Sequence, residues 1–289
     1  PAILLIAIYV TLKLEIDVYF DQLYLDSSIS VTPENQRAVV DYQNEDLPLF
    51  KTIWGVNYSM LFLTVLSFFN MQKFKNKTLG QFNLGLNALA LVTFLTIGLF
   101  ALSELRESYL DQTLAAYYPK GTFSIIIRYI SYVFFAGLLF TCYKYIRQEF
   151  MEVKLKVVYD LLKHISILWI ASSELINLMD LSGFSETYKL GLSILWGVYS
   201  LLLISYGIWQ NKKHFRIGAI ALFSVTLIKL FFYDISHLNT ISKTIVFVSL
   251  GILLLIISFL YNKFKHKITD DIEGLQSYNF TGTTFIIFL

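Results

Sequence analysis

The chain reads as an all-α integral membrane protein of about eight transmembrane helices, arranged as two direct four-helix repeats. Three observations predict this. Of the 289 residues, 56% are apolar, 17% aromatic and only 15% charged, which would leave a soluble domain with too little polar surface. Eight segments approach the roughly 20 apolar residues that a helix needs to cross a bilayer core about 30 Å thick, where a loop or an open sheet would leave backbone groups unpaired. A short run centred on tryptophan also occurs twice, as Thr52-Ile53-Trp54-Gly55-Val56-Asn57-Tyr58-Ser59 and as Ile194-Leu195-Trp196-Gly197-Val198-Tyr199-Ser200. Each copy runs into a Lys-rich connection and is followed by two further apolar segments.

The first segment, Pro1 to Phe20, is apolar from its first residue and is interrupted by Lys13 and Glu15. A signal peptide would need a basic start and a small-residue cleavage site, so the expectation is a chain cut from something longer. The second and third segments, Lys51 to Asn70 and Phe82 to Leu102, flank Lys73, Lys75 and Lys77. The fourth is Phe123 to Tyr145, and the fifth, Leu161 to Met179, follows a strongly basic stretch. Tyr188 to Trp209, Ile217 to Ile235 and Ile241 to Tyr261 complete the set. Residues 1–150 then form the first four-helix unit and 151–267 the second. The tail, 268–289, ends in an apolar run too short to span.

Lys and Arg are retained on the cytoplasmic side of short connections, and here the charge alternates. Lys73, Lys75 and Lys77 follow the second segment; Lys144, Arg147, Lys154, Lys156 and Lys163 surround the fourth junction; Lys212, Lys213 and Arg216 follow the sixth; Lys263, Lys265 and Lys267 follow the eighth. The connections between them are acidic, with Asp21, Asp26, Glu34, Asp41, Glu45 and Asp46 in the first, Glu104, Glu107 and Asp111 in the second and Asp180 and Glu186 in the third. The basic connections are predicted to be cytoplasmic and the acidic ones external. The net charge of +2 is a sum over opposed faces and implies no nucleic-acid partner.

The single cysteine, Cys142, excludes a disulfide framework within the chain. His164, His214, His237 and His266 stand at unrelated spacings near membrane surfaces and provide no metal-ligand pair. No nucleophile elbow, phosphate-binding loop or dinucleotide fingerprint occurs. The expectation is therefore no cofactor, no metal and no catalytic motif. The tyrosines near the segment ends suit an interfacial aromatic belt.

The two halves agree in more than the tryptophan motif. Arg128-Tyr129-Ile130-Ser131-Tyr132 opens the fourth segment much as Lys243-Thr244-Ile245-Val246-Phe247 opens the eighth, and Glu15 in the first is echoed by Glu174 in the fifth. Four helices per unit is an even number, so both copies start from the same side, which makes a direct repeat and not the inverted kind used for alternating access.

The run Leu227-Ile228-Lys229-Leu230-Phe231-Phe232-Tyr233-Asp234, followed by Val248-Ser249-Leu250-Gly251-Ile252-Leu253-Leu254-Leu255 and Phe259-Leu260-Tyr261, resembles the carboxy-terminal part of a family of bacterial predicted membrane proteins, domain of unknown function 2339. The likeness is best from about Ser172 to Lys265. Where members often have Arg before the last helix this chain has Lys243, which keeps the charge and loses the planar fork. The resemblance implies a many-helix protein of the bacterial cytoplasmic membrane, and no activity.

Ionisable residues at membrane depth cost about 2.5 to 3.5 kcal/mol even on insertion scales, so they mark the candidate site. Glu174 and Lys229 are expected at similar depth and within pairing reach, with Asp234 and Lys243 nearer the outer surface. Glu15 and Arg128 are the counterparts in the first unit. The segment matching Ile228 to Asp234 there is Leu95 to Ala101, which has neither charge. Two readings stand. Glu174 glues helices while Lys229 snorkels outward, or the group forms a polar chamber in the outer leaflet. Three functions follow in order: a non-catalytic scaffold or subunit of a membrane complex, partnered by lipids and other membrane-protein subunits; a permease or flippase-like protein for a lipid or lipid-linked glycan; and a membrane enzyme acting on lipid or glycan.

Overall fold

The computed structural model describes residues 2–31, 40–184 and 188–230 and, in part, 241–263. Among the described residues the regular structure is helical but for one small hairpin. The elements run α1 (Ala2–Asp26), β1 (Ile29–Val31), β2 (Val40–Tyr42), α2 (Asp46–Phe69), α3 (Lys77–Thr93), α4 (Leu99–Asp111), α5 (Phe123–Tyr145), α6 (Lys156–Leu181), α7 (Tyr188–Trp209) and α8 (Lys213–Lys229). Two compact units emerge, residues 1–173 and 174–289. The division between them falls inside α6.

Among the described residues, four helices are long and apolar enough to cross a membrane, against the eight segments expected: Asp46–Phe74, Lys77–Asp111, Phe123–Tyr145 and Tyr188–Trp209. The physical reasons for the shortfall differ. α1 carries Lys13, Glu15 and Asp17 in its middle, and α6 is diluted by His164, Ser172, Ser173, Glu174, Asn177 and Asp180. α8 has 17 residues, and the eighth expected segment is described only in part.

In the first unit α2 is the central helix, with α1, α3, α4 and α5 packed around it. Ile53, Met60, Leu91, Phe94, Leu102, Leu105, Ile127 and Leu138 form the apolar core. The inward stripe of α5, Ser124, Arg128, Ser131, Phe135, Leu138, Cys142 and Tyr145, recurs every three or four residues, the spacing that keeps one face of a helix against its neighbours. Lys77–Asp111 forms one helical rod of 35 residues, about 52 Å long at 1.5 Å per residue, which exceeds the apolar core of a bilayer. Its last turns therefore carry Glu104, Arg106, Glu107 and Asp111.

Two π turns mark this unit. One, Phe94–Gly98, joins α3 to α4, and a Cβ on Gly98 would stand 2.8 Å from the Phe94 ring. The other, Asn70–Phe74, ends α2 at Lys75, whose φ of 46° is left-handed and whose N–H bonds Asn70 O at 2.7 Å. Trp54-Gly55-Val56 has a local reason here: the Lys13 stem crosses Gly55, with its Cε 2.9 Å from where a Cβ would be. Lys13 thus lies along α2 and bonds Asp17 at 2.7 Å, so two of the charges interrupting α1 pair one turn apart.

In the second unit α7 and α8 pack closely at Gly207, where a Cβ would come within 3.0 Å of Phe215 and Arg216. Leu203, Ile204, Ile208, Phe215 and Ala219 fill that seam. Gly191 plays the same part between α6 and α7, with Met179 and Leu175 3.1 and 3.3 Å from its Cβ position.

Candidate functional site

Polar side chains collect in three places. The first is the acidic end of unit 1. Asp46 begins α2, and its carboxylate accepts from Lys120 Nζ at 2.8 Å and from Ser108 Oγ at 2.6 Å. The Lys120 and Asp46 side chains are only 6% and 9% exposed. Below this pair, Arg128 is fully buried on α5 and donates to Ser173 Oγ at 2.9 Å, Tyr132 Oη at 3.2 Å and Leu102 O at 3.3 Å. Arg106, one turn along α4 from Leu102, is also buried and reaches Glu107 at 3.3 Å. Tyr118 ties the hairpin to this end by donating to Ser27 O at 2.6 Å and Tyr42 O at 3.0 Å. Burial pushes its phenol above the ordinary value of 10.0, since desolvation disfavours the phenolate.

The second is a stripe of neutral amides. Gly80, Asn83 and Asn87 recur at helical spacing on the buried face of α3, and Asn76 at the same spacing caps its start. Asn83 and Asn87 both donate to Ser67 Oγ, at 2.7 and 3.0 Å. Asn70 donates to Tyr145 Oη at 2.6 Å and to Asn76 O at 3.0 Å, and accepts from Asn76 N at 3.0 Å. Higher in α2, Asn57 donates to Ser131 Oγ at 3.0 Å. Met151 caps the stripe, its Sδ filling the space left by Gly80. The Oδ1 atoms of Asn57, Asn83 and Asn87 are buried without a protein hydrogen-bond partner.

The third lies in unit 2. Lys229 Nζ donates to Ser193 Oγ at 2.8 Å and Lys189 O at 3.2 Å, both on α7. Glu174 accepts from Asn177 at 3.3 Å on its own helix.

The sequence-selected residues thus divide. Arg128 is buried in a network of named partners, Lys229 is held by α7, and Glu174 is half-buried on α6. Glu15 is exposed on α1, and Lys243 is a half-buried helical residue. Asp234 lies outside the described residues. Asp46, Lys120 and the asparagine stripe carry no mark of formal charge at mid-membrane depth, the feature that singles out the other residues in the sequence. The repeated Asn at positions 76, 83 and 87, with Gly80 between them, was the available signal.

The chemistry of these groups is cohesive: ammonium, guanidinium, amide and hydroxyl donors meet carboxylate, carbonyl and hydroxyl acceptors on neighbouring helices. Among the described residues no three His, Cys, Asp or Glu side chains converge as a metal site. No curated protein and no solved structure matches the chain. One family model does match, and it covers residues 2–264, far beyond the carboxy-terminal stretch that first suggested it. With apolar rods long enough to span and polar groups turned inward, the chain belongs to the family described as predicted membrane protein, domain of unknown function 2339.

Proposed function

We propose that the chain is a multi-pass protein of the bacterial cytoplasmic membrane that serves as a non-catalytic structural subunit, with its apolar outer faces holding other membrane segments. The observation that carries this reading is the inward use of polar side chains in unit 1, where Asp46, Lys120, Asn57, Asn70 and Arg128 all bond to neighbouring helices or the turns that join them. Such contacts hold helices together in a medium where apolar burial gives no drive to associate. Its lipid-facing side chains, such as Val133 and Phe140 on α5, are exposed and apolar. The repeat is part of the proposal, with eight spans in two direct copies and basic connections in the cytoplasm. It is supported by the burial of both motif glycines, Gly55 and Gly197.

A second reading, a permease or flippase-like protein for a lipid or lipid-linked glycan, is favoured by one observation: Lys229 at the end of α8 is bound to Ser193 Oγ and Lys189 O on the first turns of α7, so a cation is held between two helices of unit 2. Extraction of the full-length protein into native nanodiscs separates the two. The subunit reading expects a particle of fixed composition, larger than one chain, that survives dilution. A solitary chain that moves fluorescent lipid between leaflets in proteoliposomes, and stops doing so as Lys229→Met, would overturn it.

A further inference from the structure

α1 and α3 both lean on α2 and leave a groove of about 400 Å³ between them. Its wall is apolar, with Ile6 on α1, Phe62 and Leu66 on α2 and Leu86 on α3. Its few polar groups are mostly bonded within the fold: Tyr9 Oη and Ser59 Oγ bond each other at 2.9 Å, Ser59 also donates to Gly55 O at 2.7 Å, and the Asn83 amide donates to Ser67 Oγ at 2.7 Å, leaving Asn83 Oδ1 and Thr93 as small polar points in a wall that is otherwise apolar. What this wall can hold is therefore a hydrocarbon. The groove follows α3 from Leu79 to Thr93, a rise of about 21 Å, against about 15 Å for one leaflet of the bilayer core. Such a long slot suits an extended chain. Its rims, Ile6 and Phe82, are 63% and 69% exposed, so it opens sideways to the bilayer.

The end near Leu79 meets the turn between α2 and α3. Lys73 and Lys75 stand exposed on that turn, while Lys77 is already paired with Glu152. Two cations beyond the end of an apolar slot complement an anionic headgroup attached to a hydrocarbon chain. We infer that the groove binds one acyl chain of an anionic glycerophospholipid, with the lipid phosphate at Lys73 and Lys75. With the basic connections cytoplasmic, the lipid comes from the cytoplasmic leaflet.

The test uses the full-length protein, delipidated and returned to vesicles of phosphatidylcholine containing a minor share of phosphatidylglycerol, with bound lipid read by native mass spectrometry after gentle extraction. The wild type is expected to keep phosphatidylglycerol over phosphatidylcholine by about tenfold or more, the preference two lysines near a headgroup supply. The double variant Lys73→Gln/Lys75→Gln is expected to lose the preference and still retain a lipid. Leu86→Trp fills the slot and is expected to lose the lipid. Ile6→Trp narrows it from an exposed rim, where folding is spared, and is expected to weaken retention likewise. Val133→Trp, on the outer face of α5, should change nothing. Retention unchanged in both Leu86→Trp and Ile6→Trp, equal loss in Val133→Trp, no headgroup preference in the wild type, or crosslinking of the groove to a protein segment in place of lipid would each overturn the inference. The subunit reading survives any of these results, because it is measured by particle composition.

Discussion

The two ends of unit 1 bind their helices together with different chemistry. At the acidic end, formal charges are used: Asp46 and Lys120 form a buried ion pair steadied by Ser108, with Arg106 and Arg128 close below. Toward the basic end, the same α2 is held by neutral groups alone, Ser67 and Asn70 meeting Asn83, Asn87 and Tyr145. The difference teaches where a membrane helix tolerates charge. Asp46 is the first residue of α2 and Lys120 lies in the connection before α5, so both ions sit at the rim, where the cost of leaving water is least. Ser67 and Asn83 lie within apolar stretches, where an ion would cost several kcal/mol and a neutral amide or hydroxyl costs less to bury.

The sharpest way to break this comparison is at the ion pair. Asp46→Ala strands Lys120 in a buried site, and the expected loss of stability is about 3 to 5 kcal/mol, read by denaturant unfolding in mixed micelles. Adding Lys120→Met should recover much of it, because the penalty belongs to the unpaired charge. At the other end, Asn70→Ala removes three hydrogen bonds from neutral groups. The expected loss is about 1 to 2 kcal/mol, since membrane interhelical bonds average about 0.6 kcal/mol each. A loss as large as that of Asp46→Ala would show that the neutral network carries equal weight.

The smallest effect concerns Tyr118. Its raised phenol pKa means the folded state holds the proton more tightly than the unfolded chain. The stability from this group is complete below pH 10, and it is lost as pH rises through the folded value. Limited proteolysis of the hairpin should therefore quicken above pH 10 in the wild type. Tyr118→Phe should be cleaved faster at neutral pH and show no such alkaline step.

Much of the helical plan was legible because apolar length is a direct demand of the bilayer. Phe123–Tyr145 and Tyr188–Trp209 have the bounds the hydropathy pattern predicts. Elsewhere the helices outrun the apolar stretch, as α1 does to Asp26 and α3 with α4 from Lys77 to Asp111, because backbone hydrogen bonding continues into the interface where polar side chains are welcome. The hairpin has strands of three residues, too short for an alternating pattern to register. The π turns left no periodic trace either. Of the candidate site, Arg128 and Lys229 were visible as charges in apolar runs, while Asp46 and Lys120 resembled ordinary loop charges. Their burial comes from the packing of α2 against α4 and α5, which no local pattern records.

The orientation of unit 1 decides both which leaflet supplies the groove and which ends of the helices meet cytoplasmic partners. It is measured most directly by cysteine labelling in sealed cells, with the buried native thiol removed as Cys142→Ser. Ser28→Cys and Lys75→Cys both replace exposed residues at opposite ends of unit 1. A membrane-impermeant maleimide added from outside is expected to modify Ser28→Cys and to reach Lys75→Cys only after the membrane is opened. Modification of Lys75→Cys in intact cells, with Ser28→Cys protected, would contradict the account.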